Sequence, residues 1–355
     1  MKSNSKKIKV LFFANLPTDD VRSIGGAATL SRRILDFVRN DERFEIEQVQ
    51  IRTFWKSKFQ LIDYFFWFFK FPFLIRRFDV VSFHVTRDFN VSIAPFLLMW
   101  TKIFKKKTLY HMFGGGFHSV YDKTPGFLKW FLSKSILKVD ALVLETKQLI
   151  SYFESLGLKN LIWLPNSRQP IENFTKNRQY QKKFVMISRL MPDKGIPEII
   201  EAAERLPKDY QVDVYGPFDP KYYKKNPFEG TKVNYKGILH HDEVIPTLDK
   251  YNILLMPTYI SREGYPGIII EALSIGIPVI TTDCCVMDEM ITHNENGLLI
   301  EKQSGKALAD AMQSFSDANY KTFQEKALDS FYKNFNSNKV FKKITEAYLS
   351  MYETK

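Results

Sequence analysis

Cysteine is nearly absent from this sequence: there are two in 355 residues, Cys284 and Cys285, and they are neighbours. That excludes a long-range disulfide framework within the chain and suits a reducing, cytoplasmic compartment. A G-x-x-x-x-G-K-[ST] run is missing, which argues against a P-loop ATPase, and so is the G-x-G-x-x-G dinucleotide fingerprint. His, Cys and Asp never fall at a convincing metal-ligand spacing, so no metal is expected. Internal repeats, low-complexity tracts and coiled-coil heptads are lacking too. No apolar run reaches the roughly 20 residues of a spanning helix. The most intense, YFFWFFKFPFLIRRF at 64–78, is broken by Lys70 and Pro72 and closed by Arg76 and Arg77. The opening MKSNSKKIKVLFFANLP lacks the apolar region and cleavage site of a signal peptide and reads as a basic tail entering a strand.

Acidic charge is in short supply, 39 Asp and Glu against 51 Lys and Arg, a formal net charge of +12. That predicts attraction to anions, whether nucleic acid, phosphorylated metabolites or an acidic membrane. The cations form no recognition helix or single-strand module, so nucleic acid is set aside. Aromatics are abundant, with 31 Phe, 17 Tyr and 5 Trp. Residues 94–107, APFLLMWTKIFKKK, repeat the pattern of 64–78: an apolar run, then Lys102, Lys105, Lys106 and Lys107. Apolar surface beside Lys and Arg suits a segment lying on an anionic bilayer. Core packing with a solvated lysine end is the bland alternative.

The length favours two domains. Short apolar runs bounded by turn residues alternate with helical spacing, a repeated βα grammar. IKVLFFAN, FEIEQVQI, DVVSFHV, TLYHMFG, ALVL and NLIWLPNS are the strands of the first half. FVMISRL, QVDVYGPFD, TKVNYKGIL, YNILLMPTY and IPVITTD are those of the second. The expected architecture is two Rossmann-like, doubly wound α/β domains facing each other across a cleft. The first spans 1–168 and the second 169–335, with a last helix at 336–355 able to pack back on the first.

Ligands of such sheets bind beyond the carboxyl ends of the strands, so residues there are the candidates. Gly25 and Gly26 lie between the first strand and helix, where free backbone N–H groups can meet a phosphate. Arg189 and Lys194 flank a turn after FVMIS and can hold a diphosphate, one as a rigid fork and one as a mobile point charge. In SREGYPGIIIEALSIGIPV, Gly264, Pro266 and Gly267 make a tight turn into a helix. Glu263 precedes that turn and Glu271 lies eight residues on. A carboxylate accepts paired hydrogen bonds from vicinal hydroxyls. Helix capping explains Glu263 cheaply; it explains neither Arg262 nor Glu271, a carboxylate within an apolar helix. His118 sits in the GGG loop after TLYHM, with His111 competing for the same role and His84 ranked below both.

On these residues the second half resembles the retaining glycosyltransferases of family 4, enzymes of the two-domain GT-B fold. The shared pattern is a Glu, a glycine-rich turn and a second Glu eight positions on, then A-x-A-x-G-x-P-V, here EGYPGIIIEALSIGIPV. The resemblance implies transfer of a hexose-type sugar, with retention, from a nucleoside diphosphate sugar, a UDP-sugar foremost. The basic, aromatic first half in turn suggests a saccharide or lipid-linked saccharide acceptor, as in assembly of a bacterial surface polysaccharide or glycolipid, with the chain peripheral on the inner face of the cell membrane. The resemblance implies no resident cofactor and no metal. Glu263 would touch the sugar and Glu271 the ribose. Arg189, Lys194, Gly25 and Gly26 would meet the diphosphate, and Gly264, Tyr265, Pro266 and Gly267 would offer backbone donors. Gly237 and Ile238 would lie near the base, and Asn166 would match an interdomain Asn. Two departures stand out: Cys284–Cys285 where relatives often have a Gly pair, before Glu289, and Ser167 where LPNG is usual. A non-catalytic sugar- or polyanion-binding protein on the same fold is the rival reading.

Overall fold

The computed structural model of the chain describes residues 6–19, 23, 25–52, 60–90, 92–260 and 263–354. It forms two units: the chain up to Pro165 with Asn338 onward, and Asn166–Ser337. The first boundary falls between Pro165 and Asn166, so Asn166, Ser167 and Arg168 belong to the second unit rather than ending the first.

In the first unit, β1 (Ile8–Ala14), β2 (Phe44–Gln50), β3 (Val80–Val85), β4 (Lys107–Met112), β5 (Ala141–Leu144) and β6 (Leu161–Trp163) form one sheet. Their order is β2-β1-β3-β4-β5-β6 and every pairing is parallel. The alternation of a strand sends Val10, Phe12 and Ala14 to one face and Leu11 and Phe13 to the other. On the first face they pack with Ile34 and Leu35 of helix Gly26–Arg39, and with Val340, Phe341, Ile344 and Tyr348 of the final helix, Ser337–Glu353. On the second they meet Trp67, Phe71, Phe83 and Leu97. Burial on both faces is why β1, β3 and β5 read as near-continuous apolar runs, while the edge strand β2 alternates.

The second unit repeats the scheme with β7 (Lys183–Ile187), β8 (Gln211–Tyr215), β9 (Asn234–Tyr235), β10 (Ile253–Met256), β11 (Val279–Thr282) and β12 (Gly297–Ile300). Their order is β12-β11-β10-β7-β8-β9, again all parallel. TKVNYKGIL shrinks to the two-residue edge strand β9. The chain winds outward from β7 in one direction and from β10 in the other, so the winding reverses between those two strands. Arg168 and Ser337 share a backbone hydrogen bond of 2.9 Å, and Arg168 N donates to Phe335 O at 3.0 Å. The two chain connections therefore leave the second unit side by side.

Candidate functional site

A reversal of winding opens a crevice outside the carboxyl ends of the two strands that flank it. In the second unit those ends deliver residues 188–195 from β7 and residues 257–260 and 263–266 from β10. Lys194 closes a one-turn helix, Pro192–Lys194, whose cap Gly195 has φ +88°. A Cβ on Gly195 would stand 2.5 Å from both the carbonyl oxygen and Cγ of Pro257. Glycine thus lets the β7 turn press against the β10 exit. That contact brings Lys194 Nζ to 2.5 and 2.6 Å from the two carboxylate oxygens of Glu263. Thr258 Oγ1 lies 3.1 Å from Glu263 Oε2. The side chains of Lys194 and Glu263 are only 12% and 17% exposed. The capping reading of Glu263 is excluded: the helix Gly267–Ser274 has no side-chain cap, and the carboxylate goes to Lys194 and Thr258. Ile269 N donates to Pro266 O at 3.2 Å, and the N–H groups of Gly267 and Ile268 have no partner among the described residues, leaving the helix start open to an outside acceptor.

Glu271 has a partner that sequence reasoning missed. Arg168 Nε donates to Glu271 Oε1 at 2.6 Å, and Arg168 Nη1 donates to Asn166 Oδ1 and Ser167 O, each at 3.0 Å. Glu271 Oε2 has no partner among the described residues and is free to accept. Gly267 makes room for this guanidinium, since a Cβ there would lie 2.0 Å from Arg168 Nη2. A carboxylate in an apolar helix calls for a cation, but nothing in the pattern points 103 residues back along the chain.

Arg189 is exposed, with no side-chain partner among the described residues. Gly237 (φ +92°) accepts a hydrogen bond from Gly216 N at 2.8 Å, beyond β9, and Ile238 beside it is 66% exposed. Tyr265 is buried; its carbonyl accepts from Asn166 Nδ2 at 3.1 Å and its hydroxyl donates to Glu289. Gly264 and Pro266 complete the half-buried turn between Glu263 and the helix. Arg262 lies outside the described residues. Cys285 adopts φ +66°, the left-handed backbone a glycine takes freely. The two thiols are 3.1 Å apart. Burial pushes the Cys285 thiol up to about 12, with the neighbouring Cys284 thiol and the Glu263 carboxylate adding to it. The cysteine loop thus stands near the Glu263 carboxylate.

In the first unit the winding reverses between β1 and β3. A cavity of about 220 Å³ opens there, lined by Asn15, Gly25, Gly26, Arg52, His84 and Thr86 among others. A Cβ on Gly25 or Gly26 would meet nothing within 4 Å, so the missing side chains leave this space open. The histidine on its wall is His84, the one ranked lowest from sequence. His111 is wholly buried within β4, its Nδ1 3.2 Å from that of His84. Burial holds the His111 imidazole down at about 3 and His84 well below its usual value, so both rings are neutral. His118 sits on helix Phe117–Lys123, half-buried, its Nδ1 enclosed without a partner among the described residues. It is not among the cavity's lining residues. His84 ends a strand beside the reversal, and that topological clue could have found it.

Among the described residues no group of three or more His, Cys, Asp or Glu is placed to hold a metal. Residues 167–334 match the family model of glycosyl transferases group 1. The capsular polysaccharide biosynthesis glycosyltransferase CapM of Staphylococcus aureus is 28% identical over 139 residues, 36% of this chain and 34% of CapM. The matched stretch therefore spans about a third of that relative's length. The uncharacterized glycosyltransferase MJ1069 of Methanocaldococcus jannaschii is 22% identical over 96% of this chain and 99% of its own. The crystal structure of Anabaena HepE in complex with UDP superposes with a TM-score of 0.70 at 15% identity, covering 97% of this chain and 100% of that one. That likeness bears on the fold, the two-domain α/β architecture called GT-B.

Proposed function

We propose that this chain, whose residues 167–334 belong to the glycosyl transferases group 1, moves a hexose-type sugar from a nucleoside diphosphate donor to an acceptor hydroxyl with retention of configuration. The observation that carries the reading is the nearly buried Lys194–Glu263 pair at the winding reversal of the second unit, with Glu271 held on the helix that follows. Arg189 and Lys194 take the diphosphate, joined by the open N–H groups of helix Gly267–Ser274. Glu271 Oε2 accepts from the ribose diol, and Glu263 accepts from a sugar hydroxyl while keeping Lys194 in place. As the bond from the anomeric carbon to the phosphate oxygen breaks, negative charge grows where these donors converge, which is where fixed dipoles lower a barrier. The acceptor attacks from the same face and its proton passes to the departing phosphate. Cations and backbone donors carry the charge in place of a metal. A uridine base is favoured, in keeping with the UDP held by the HepE structure.

The acceptor is a saccharide, free or lipid-linked, assembled into a surface polysaccharide or glycolipid at the cytoplasmic face of a membrane. The aromatic and basic helices of the first unit support that placement, as does the capsular role in the name of CapM.

A panel of nucleotide sugars, scored for hydrolysis, transfer and thermal stabilisation, tests the reaction. Glu263→Ala is expected to lower turnover by at least about 100-fold, the scale of one transition-state contact, with near-parental secondary structure. Lys194→Ala is expected to weaken binding of the donor, and a chelator to leave the rate unchanged. Parental rates in both variants would sink the assignment. Sugar binding without turnover on any donor would favour the non-catalytic reading.

A further inference from the structure

The first unit leaves an unusual amount of aromatic surface uncovered. On helix Gln60–Leu74, Ile62, Phe65, Phe66, Phe69 and Phe73 are all exposed, Phe65 by 70% and Phe73 by 68%. The same helix buries Trp67 and Phe71 in the core, and Trp67 Nε1 donates to Ile51 O at 2.9 Å. A helix apolar all round belongs inside something, and here its outer side is bare. Phe96, Met99 and Ile103 are exposed on helix Ala94–Ile103. A third helix, Gly126–Lys134, adds Phe127 at 80% and Trp130 at 55%. The three helices are joined through their rings: Phe68 to Phe96 at 6.1 Å and Phe96 to Phe131 at 5.5 Å. Among the described residues no helix is long and apolar enough to cross a membrane.

Cations flank this surface. Lys70 lies 4.8 Å over the ring of Phe66, and Arg76 5.4 Å over Phe73 and 4.9 Å over Phe104. Lys102 donates to the carbonyl of Lys134, so Lys102, Lys134 and Lys138 crowd together. Burial, then Lys138 and Lys134, hold the Lys102 ammonium below its usual range. Among the described residues none of the three has a carboxylate within ion-pair distance. Among the acids of this unit, Glu47 is paired with Arg77, Asp122 with Lys129 and Asp140 with Lys107, and Asp63 is buried.

What covers such a face must be apolar and anionic at once. A second copy of this chain would bring the same lysines against themselves, and a neutral apolar partner would leave them uncompensated. An anionic bilayer meets both demands, its acyl boundary taking the rings and its phosphates the lysines. We propose that these three helices form a docking face for an anionic phospholipid bilayer. Lys102, Lys134 and Lys138 hold head-group phosphates, while Phe65, Phe69, Phe73, Phe127 and Trp130 enter the interface. This deepens the membrane-proximal part of the proposed function and rests on that part alone.

Flotation of the full chain with phosphatidylcholine vesicles, with and without phosphatidylglycerol, is the test. The parent protein is expected to float with the anionic vesicles, and less so as salt rises. Lys102→Gln/Lys134→Gln/Lys138→Gln is expected to lose roughly 100-fold in vesicle affinity, a few-fold for each lysine. Phe65→Ser/Phe69→Ser/Phe127→Ser, on exposed positions, is expected to lose binding at all salt concentrations with unchanged melting. A control of matched charge, Lys208→Gln/Lys224→Gln/Lys225→Gln in the second unit, is expected to bind like the parent. An equal loss in that control would reduce the effect to net charge and overturn the proposal. So would failure of the parent to float, or a self-associated species in sedimentation that the Phe variants dissolve without any vesicle binding. Nucleotide binding in solution, measured on the same variants, reports separately on the reaction.

Discussion

Arg168 and Gly267 are one device. The guanidinium occupies the space that a side chain at 267 would fill, and from there it grips Glu271. Glu271 is 12% exposed, so removing its cation leaves a mostly buried charge whose pairing costs are no longer met. Arg168→Ala is expected to weaken UDP binding about tenfold or more and to lower the melting temperature. Gly267→Ala is expected to do the same by pushing the guanidinium aside. If so, the two are not additive: in the Arg168→Ala background the added Gly267→Ala change should cost far less than in the parent. Calorimetric titration of the four proteins closes that cycle, and additive losses would mean that the glycine serves something else. Glu271 stood out in the sequence because a carboxylate within an apolar helix is expensive without a partner, whereas Glu263, which a helix cap explained cheaply, stood out only through its place before the glycine-rich turn. Arg168 was not legible, since spacing within a segment carries no information about a partner brought in by tertiary folding.

Strands β3 and β4 carry the next scale. Tyr348 of the last helix donates to Ser82 Oγ at 2.8 Å, Ser82 Oγ meets His84 Nε2 at 2.9 Å, and His84 meets His111. This polar chain ties the final helix to the first sheet through its core. Both imidazoles are neutral in the folded state and would charge near pH 6.5 once unfolded. The unfolded chain therefore binds more protons below that pH, so stability is complete above about 6.5 and falls as pH drops toward the folded value of about 3 for His111. The limiting slope is about 1.4 kcal/mol per pH unit for each ring. Thermal unfolding between pH 7.5 and 5, a window clear of most carboxylates, is expected to show that loss. His111→Gln should reduce the slope by about half, and an unchanged slope would show that the rings do not titrate on unfolding. The strands themselves were readable as short apolar runs between turn residues. The place of helix Gly126–Lys134 in the aromatic face was not readable, because that depends on the ring contact of Phe96 with Phe131. His84 was underrated for a related reason: the reversal of winding that puts it on a cavity wall appears only when strand order is known.

At the scale of the molecule, the two units keep their chemistry apart. The acid and base groups assigned to the donor, Lys194, Glu263 and Glu271, all lie between Asn166 and Ser337, and the aromatic, lysine-rich helices all lie before Pro165. Each unit has its own apolar interior, so a ligand for one has no need to order the other. A ligand at 100 times its Kd stabilises what it binds by about 2.7 kcal/mol, which slows local opening about 100-fold. Hydrogen exchange of the full chain is expected to reveal this division. UDP should protect residues 188–195 and 263–271, leaving 62–74 and 126–134 at their parental rates. Anionic vesicles should protect 62–74, 94–103 and 126–134, leaving the donor segments alone. Protection by UDP confined to the first unit would misplace the donor site. Protection of both units by either ligand alone would mean that the units respond together, and a separate reading of donor and membrane faces would have to give way to a coupled one.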